Sequence, residues 1–182
     1  VGRTRTLPGG DPDRLRLGIT CCARFGQSRF EVYRELAAAD VDLVVHLGDY
    51  IYEDTKCEVP GREPEPDHDC VTLEDYRTRH LQCRRDPELR RLHQQHPMVV
   101  IWDDHDIADN AFRDGASNHD DDEQGPWAPR LAAALQAQLG RAGGNHRLRE
   151  QPMRDQRAAP TAAADHDRDV GCGGVRAAVH AL

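Results

Sequence analysis

Three apolar segments separated by polar sequence dominate the hydrophobic pattern of this chain, at Leu15–Ile19, Val41–Leu47 and Met98–Trp102. Each is short, rich in aliphatic residues and followed by polar ones, as is typical of strands in a parallel sheet that is covered on both faces. Between the first two, Phe30–Ala38 carries its apolar residues on one helical face. The order strand, helix, strand predicts a right-handed crossover, parallel strands and an α/β fold.

Start and stop signals predict further helices. Thr72 and Asp75 have the spacing of a capping box, which starts a helix. Two more helices are predicted at Glu88–Gln95, which stops before Pro97, and at Leu131–Leu139. Three histidines without an acidic or cysteine neighbour are expected at the surface: His80, His93 and His96.

The sequence changes character after Leu139. It has no aromatic residues there, few apolar ones and no helical or strand period. Such a composition cannot bury enough surface to order a chain, so residues 140–182 are expected to form a disordered tail. A GC-rich gene read out of frame would give the same Arg-, Ala- and Gly-rich text, and a frameshifted or truncated gene is therefore also expected.

Composition narrows the classes of function. The formal net charge of −8 disfavours binding to a nucleic-acid backbone, which needs a basic surface. No stretch approaches the roughly 20 apolar residues of a membrane span, and no secretory signal is visible. A length of 182 residues is enough for one domain with a core of its own.

The second apolar segment runs directly into Gly48 and Asp49. The glycine allows a tight turn, and the carboxylate would then project from the carboxyl edge of the sheet, where α/β folds bind their ligands. Tyr52 adds a phenol that becomes a strong ligand when a trivalent ion lowers its pKa. The segment predicts a metal site, or else an ordinary loop carboxylate with tyrosines packed on the sheet.

The third apolar segment runs into a polar cluster, Asp103–Asn110. Acids this close would raise one another's pKa values unless a cation neutralised them. The alternative is an acidic turn that caps a helix. A capping turn has no need of His105, so a metal or catalytic role is favoured.

Cys21 and Cys22 follow the first segment. Neighbouring strand residues point to opposite faces, so at most one of these thiols can face a site. Both could equally be small buried apolar residues.

Four motifs taken in order resemble those of the PhoD-like alkaline phosphatases. They are Cys-Ala-Arg-Phe at 22–25, His-Leu-Gly-Asp-Tyr-Ile-Tyr-Glu at 46–53, Leu-Glu-Asp-Tyr-Arg-Thr-Arg-His at 73–80 and Trp-Asp-Asp-His-Asp-Ile-Ala-Asp-Asn at 102–110. The resemblance extends to about Leu139. It implies a metallophosphatase-like αββα sandwich of which residues 14–139 form only the first half, with residues 1–13 as a linker from a missing N-terminal domain.

The resemblance also implies a set of metal ligands. Cys22 and Tyr52 match ligands of a ferric ion, Fe³⁺, and Asp49 matches the carboxylate that bridges the metals. Asp104 and Asn110 lie in the segment that supplies the calcium, Ca²⁺, side of the site.

One histidine and three departures complete the resemblance. His105 matches the histidine that faces the phosphoryl group. Asp106 stands where the family usually has Glu, Cys21 where it commonly has Ser, and Cys83 where it commonly has an aromatic residue. None of these departures removes a predicted ligand.

The function implied is metal-dependent hydrolysis of a phosphate ester, outside the cytoplasm in the parent family. The family's site also takes ligands from the second half of the sandwich, so this chain by itself is expected to be nearly inactive. Two alternatives stay open: a phosphodiesterase or phospholipase that uses the same cluster, and a non-catalytic calcium-binding module.

Cys57 and Cys70 flank a polar loop rich in Pro, Asp and Glu. A disulfide closing this loop would suit an exported protein and is slightly favoured over two free thiols.

Overall fold

The computed structural model describes residues 14–141 and 176–181, with side chains described for residues 14–140. The strands in these ranges are β1 (Arg16–Cys21), β2 (Leu43–His46), β3 (Met98–Val100) and β4 (Arg176–Ala181). The helices are α1 (Glu31–Ala38), α2 (Leu73–Arg85), α3 (Pro87–Gln95), α4 (Asp121–Gln124) and α5 (Trp127–Arg141). Two short 3-10 helices lie at Phe25–Gln27 and Asp104–Asp106.

The strands form one sheet in the order β3-β2-β1-β4. Strand β2 pairs in parallel with both β1 and β3, so that Val45 lies opposite Ile19 on one side and Val99 on the other. The predicted parallel arrangement and the α/β fold are therefore confirmed. Because the three strands run the same way, the polar segments that follow them emerge at one edge of the sheet.

Helices cover one face of the sheet. Gly18 and Val44 lie on this face and are buried. A Cβ atom at Gly18 would lie 2.6 Å from Leu36 Cδ1, so the glycine lets α1 pack closely on β1. On the other face Leu47 and Val99 are exposed, so the described residues leave that face partly open.

The start and stop signals in the sequence agree with the observed bounds of α2 and α3. Thr72 and Asp75 form the predicted capping box at the start of α2, and α3 ends at Gln95 as predicted. The predicted strand Val41–Leu47 is longer than β2, because the Val41 N–H bonds to Ala39 in the turn after α1.

Two side-chain expectations are wrong. His80 is buried rather than exposed, because α2 contacts both α3 and α5 and brings the His80 ring to 6.1 Å from that of Tyr50. Cys57 and Cys70 are both free thiols, the first exposed and the second with no exposed surface.

A buried arginine holds the polar loop in place of a disulfide. Arg79 is 2% exposed. Its guanidinium donates hydrogen bonds to backbone carbonyls along the loop, at Tyr52, Asp54, Glu65, Pro66 and His68. The loop therefore has a polar anchor that the positions of the two cysteines gave no reason to expect.

Two predicted regions lie outside the described residues. They are the linker at residues 1–13 and most of the disordered tail, residues 142–175 and 182. The sequence predicted no strand after Leu139, whereas β4 pairs antiparallel with β1. No helix in the described ranges has the length and apolar character needed to cross a membrane.

Candidate metal centre

The ends of β1 and β2 meet at the edge of the sheet where the polar segments emerge. The Cys22 N–H donates a 3.2 Å hydrogen bond to the Gly48 carbonyl, and the Ala23 N–H donates a 2.8 Å bond to that of Asp49. Gly48 has φ 110°, and a Cβ atom there would lie 2.5 Å from Cβ of Asp103. The glycine therefore lets the turn after β2 touch the polar segment after β3.

Asp49 is the most enclosed carboxylate among the predicted ligands at this edge, with 6% of its surface exposed. Its Oδ2 accepts a 2.8 Å hydrogen bond from the Tyr52 hydroxyl, whereas its buried Oδ1 has no hydrogen-bond partner. Burial raises the pKa of Asp49, and burial together with the Asp49 charge raises the pKa of Tyr52. A cation beside Oδ1 would reverse both shifts, because it favours the ionised forms.

The segment after β3 divides its acids between two roles. Asp103 and Asp106 form a capping box around the 3-10 helix Asp104–Asp106, so the alternative interpretation of this cluster as a capping turn is right for these two residues. Asp104 instead accepts a 2.6 Å hydrogen bond from the Asn110 N–H. Oxygen atoms of Asp49, Asp103 and Asp104 lie within 4.8 Å of one another. The carboxylates thus converge as the sequence predicted.

Asp106 joins the two polar segments. It is 2% exposed, and its Oδ2 accepts hydrogen bonds from the N–H groups of Asp49, at 3.0 Å, and Asp103, at 3.1 Å. Its Oδ1 accepts from Tyr50, at 3.0 Å, and from Ile51, at 3.2 Å. The sequence marks Asp106 only as a departure from the family pattern, because no local signal shows which backbone groups a carboxylate will bind.

Glu53 holds His105. The Glu53 side chain has no exposed surface, and its carboxylate lies 2.8 Å from Nδ1 of His105. It also accepts hydrogen bonds from the Asp109 N–H, at 2.7 Å, and from the Asn118 amide, at 2.6 Å. Sequence reasoning assigned no role to Glu53. The only signal was an acid at the end of the motif that contains Asp49.

The pKa values of Glu53 and His105 shift in opposite directions, the first downward and the second upward. Burial alone would raise the pKa of Glu53, but the hydrogen bond and charge of His105 outweigh burial and hold it below its usual value. Burial alone would lower the pKa of His105, but the hydrogen bond to Glu53 and the charges of Glu53, Asp104 and Asp49 together outweigh burial and raise it. The metal-free pair is therefore stabilised as imidazolium and carboxylate.

Two side chains pack against the Tyr52 ring. The His105 ring lies 4.4 Å from it between centroids, at an interplanar angle of 36°, and the Arg24 guanidinium, which forms an ion pair with Asp54, lies 3.8 Å from the ring centroid. A guanidinium over an aromatic face is an attractive arrangement. The phenol is thereby fixed in position beside Asp49.

Left-handed backbone is concentrated at this site. Cys22, Asp49 and Asn110 have φ values of 58°, 53° and 51°, and Phe30 is the one other non-glycine residue of this kind among the described residues. Such conformations cost free energy and persist where the surrounding structure enforces them, often at functional sites. Three of the predicted ligands share this feature.

The predicted site residues are brought together to different degrees. Asp49, Tyr52, Asp104 and His105 cluster through their side chains. Cys22 is half-buried and joins through its backbone bond to Gly48. The exposed Asn110 joins through its N–H to Asp104, while its side-chain amide donates to Asp109 at 3.1 Å.

The donor set fits metal ions. A buried carboxylate oxygen without a hydrogen-bond partner, next to two further carboxylates, is the arrangement that a hard cation would complete. Two further groups also have ligand atoms within 4.8 Å: Glu53, Asp54 and His105, and Asp104, His105 and Asp109. The group of Asp104, His105 and Asp109 shares Asp104 with the first group and His105 with the group that contains Glu53, so the three form one continuous patch.

Comparisons with known proteins point to one family. The sequence profile described as PhoD-like phosphatase matches residues 17–165. Alkaline phosphatase D of Bacillus subtilis (strain 168) is 36% identical over 116 residues, which cover 60% of this chain and 20% of that protein. The solved structure titled "Structure of PhoD" is similar with a TM-score of 0.63 and 30% identity, over 82% of this chain and 27% of that chain. The chain thus spans about a fifth of the curated relative's length.

Proposed function

Because this chain belongs to the PhoD-like phosphatase family, we propose that it contributes to the metal-dependent hydrolysis of a phosphate ester. Asp49 has a buried Oδ1 without a hydrogen-bond partner and a carboxylate oxygen within 4.8 Å of those of Asp103 and Asp104, and these two features together carry the proposal. A buried carboxylate oxygen without a hydrogen-bond partner is costly unless a cation or proton neutralises it. A bound cation would offset the repulsion between Asp49 and Asp104 and the neighbouring Asp103, which caps the 3-10 helix.

Our proposed ligand set comprises Cys22, Asp49 and Tyr52 on one side, and Asp49, Asp104 and Asn110 on the other. Thiolate and phenolate suit Fe³⁺, whereas carboxylate and amide oxygens suit Ca²⁺. When bound, such ions would polarise the phosphoryl oxygens and lower the pKa of a water molecule. Asp49 belongs to both sets and would contact both ions.

His105 is the residue that we propose to face the substrate. Glu53 engages Nδ1, and Nε2, which lies 3.6 Å from Oδ1 of Asp109, is the ring nitrogen that we propose to face the phosphoryl group. A hydrogen bond from Nε2 to an oxygen of that group would stabilise the charge that develops there. The Tyr52 ring packed against His105 and the buried Glu53 together limit rotation of the imidazole.

The test of the metal site is calorimetric titration with Ca²⁺. Asp49→Asn should weaken binding by at least about tenfold, because a neutral amide is a poorer ligand for a hard cation. The matched control is Asp67→Asn, which makes the same change at a fully exposed side chain. Wild-type affinity in Asp49→Asn, or equal losses in both variants, would overturn the proposed site.

The test of the reaction is hydrolysis of p-nitrophenyl phosphate and of bis(p-nitrophenyl) phosphate. Preference for the monoester supports a phosphatase, and preference for the diester would instead support a phosphodiesterase. A longer relative of this chain, assayed in parallel, is the positive control. If the relative hydrolyses the esters while this chain binds calcium but hydrolyses neither, even with iron present, a non-catalytic calcium module is favoured.

Two finer points are also our proposals. The chain covers a fifth of the curated relative, and the family resemblance implies further ligands in the rest, so the 182 residues alone should turn over slowly. Hydrolysis as fast as that of a full-length relative would contradict this. The same resemblance favours a location outside the cytoplasm.

A further inference from the structure

We propose that Asp106 is a positioning residue, whose carboxylate fixes the turn that carries Asp49 against the segment that carries Asp104. This inference rests on the proposed metal site, in which Asp106 itself is not a ligand. It assigns a separate task to one acid of the Asp-rich cluster.

The first step is the geometry of the turn. The N–H groups of Asp49, Tyr50 and Ile51 all point to the Asp106 carboxylate, at 3.0, 3.0 and 3.2 Å. Consecutive N–H groups that converge in this way form a concave site for an anion. The side chain of Asp106 occupies that site from within the protein.

The second step is the backbone of Asp49. Its φ of 53° is left-handed, a backbone conformation that is unfavourable for a residue with a Cβ atom. Hydrogen bonds to a charged acceptor are stronger than bonds between neutral groups, so the bonds to Asp106 stabilise the turn against this unfavourable conformation. The left-handed conformation keeps Oδ2 on the Tyr52 hydroxyl and Oδ1 buried and unpartnered.

The third step is the link between the segments. The same Oδ2 atom accepts the N–H groups of Asp49 and Asp103, which belong to the turn after β2 and the segment after β3. Gly48 allows this contact, because any Cβ atom there would meet Asp103. Asp106 thus determines the spacing between the Asp49 and Asp104 carboxylates.

The experiment compares Asp106→Asn with Asp106→Glu. Asparagine keeps one acceptor oxygen and turns an NH₂ group toward two N–H donors, whereas glutamate keeps both oxygens on a longer arm. Loss of a residue that orients ligands costs about 10- to 100-fold in metal affinity. We expect this loss for Ca²⁺ binding to Asp106→Asn and a smaller loss for Asp106→Glu. Asp67→Asn, at an exposed position, is the control.

Amide hydrogen exchange supplies a readout that is independent of metal. In the metal-free wild type, the amides of residues 49–51 should be protected, and in Asp106→Asn they should exchange faster while the strands β1 and β2 keep their protection. Unprotected amides in the wild type would overturn the inference even if no variant folds. Equal Ca²⁺ affinity of wild type and Asp106→Asn would overturn it as well. A wild type that binds no Ca²⁺ would contradict the proposed metal site, while the exchange data would still decide the role of Asp106.

Discussion

Nδ1 of His105 lies 2.8 Å from Oε2 of Glu53, and the Glu53 side chain has no exposed surface. A buried carboxylate that accepts from an imidazole, a backbone N–H and an amide is costly to replace, because its donors lose a charged acceptor. The pair therefore connects the stability of the fold to the orientation of the proposed catalytic histidine.

Replacing Glu53 with Gln should lower the free energy of unfolding of the metal-free protein by about 1–3 kcal/mol near pH 6, because buried groups lose a charged acceptor. Urea titration monitored by circular dichroism measures the change. Glu123→Gln, at an exposed position of α4, makes the same change as a control and should leave stability nearly unaltered.

The difference in free energy of unfolding between wild type and Glu53→Gln should become smaller at both low and high pH. The lowered pKa of Glu53 means that its contribution is complete above its ordinary value of 4.5 and is lost as pH falls through the folded-state value. The raised pKa of His105 means that its contribution is complete below the ordinary value of 6.5 and is lost as pH rises through the folded-state value. The difference between wild type and Glu53→Gln should therefore be largest between these values. A difference that grew steadily from about pH 5 to about pH 9 would contradict this assignment.

Asp75→Ala should destabilise the start of α2. The Asp75 carboxylate accepts hydrogen bonds from the N–H groups of Thr72, at 2.7 Å, and Val71, at 3.1 Å. Loss of such a cap costs about 0.5–2 kcal/mol, measurable by urea unfolding at pH 7. Thr72→Ser keeps a capping hydroxyl and is the control that should change little.

Acid should remove the stability that the Asp75 cap gives to the wild type. Burial alone would raise the pKa of Asp75, but its hydrogen bonds with Thr72, Val71 and His68 together outweigh burial and hold it below its usual value. Its contribution is therefore present above the unfolded value of 3.8 and is lost as pH falls through the folded value. The wild type and Asp75→Ala should converge in stability toward about pH 2. A gap that stayed constant down to that pH would show that the cap is not the cause.

The two cysteines of the polar loop should differ in reactivity. Cys57 is exposed, whereas burial raises the pKa of Cys70 to about 12. Since the thiolate is the nucleophile, iodoacetamide at pH 8 should label Cys57 within minutes and Cys70 only when the protein unfolds. Peptide mass spectrometry reports each residue separately. Recovery of a Cys57–Cys70 disulfide under native conditions would contradict the structure.

The sequence predicted the elements better than it predicted the contacts between them. Apolar segments and caps located β1, β2 and β3 and the starts of α2 and α3, because these depend on nearby residues. Strand β4 was not predicted, since Arg176–Ala181 has neither an aromatic residue nor a clear alternation. Its place is determined by pairing with β1, a contact from the far end of the chain.

At the proposed metal site too, the sequence predicted local features better than contacts between distant residues. The polar segments after parallel strands predicted that Asp49 and Asp104 would converge, because parallel strands end at one edge of a sheet. Glu53 and Asp106 were missed, because their partners lie far away in the sequence and a buried acid has no local signature. The surface position predicted for His80 is wrong for a similar reason: only the packing of α2 between two other helices buries it.

Gly48→Ala provides the sharpest test of how the two ligand segments meet. Its φ of 110° strains any residue with a Cβ atom, and that atom would lie 2.5 Å from Asp103 Cβ and 2.7 Å from its backbone nitrogen. Gly61 is the matched control, because it has φ 79° but no atom within 4 Å of the position that a Cβ would take. Both alanine variants carry backbone strain of about 1–3 kcal/mol, and only Gly48→Ala adds an overpacking cost of about 1–3 kcal/mol.

Gly48→Ala should therefore lose more free energy of unfolding than Gly61→Ala, as measured by urea titration of both. It should also weaken Ca²⁺ binding, because relief of the clash moves Asp103 and the 3-10 helix that carries Asp104 away from Asp49. Gly61→Ala should keep its affinity, since a Cβ atom at Gly61 would have no atom within 4 Å and would displace no proposed ligand. Equal losses of stability in the two variants would mean that the turn and the segment after β3 are not in contact, and the convergence of the carboxylates at this edge would then have to be abandoned.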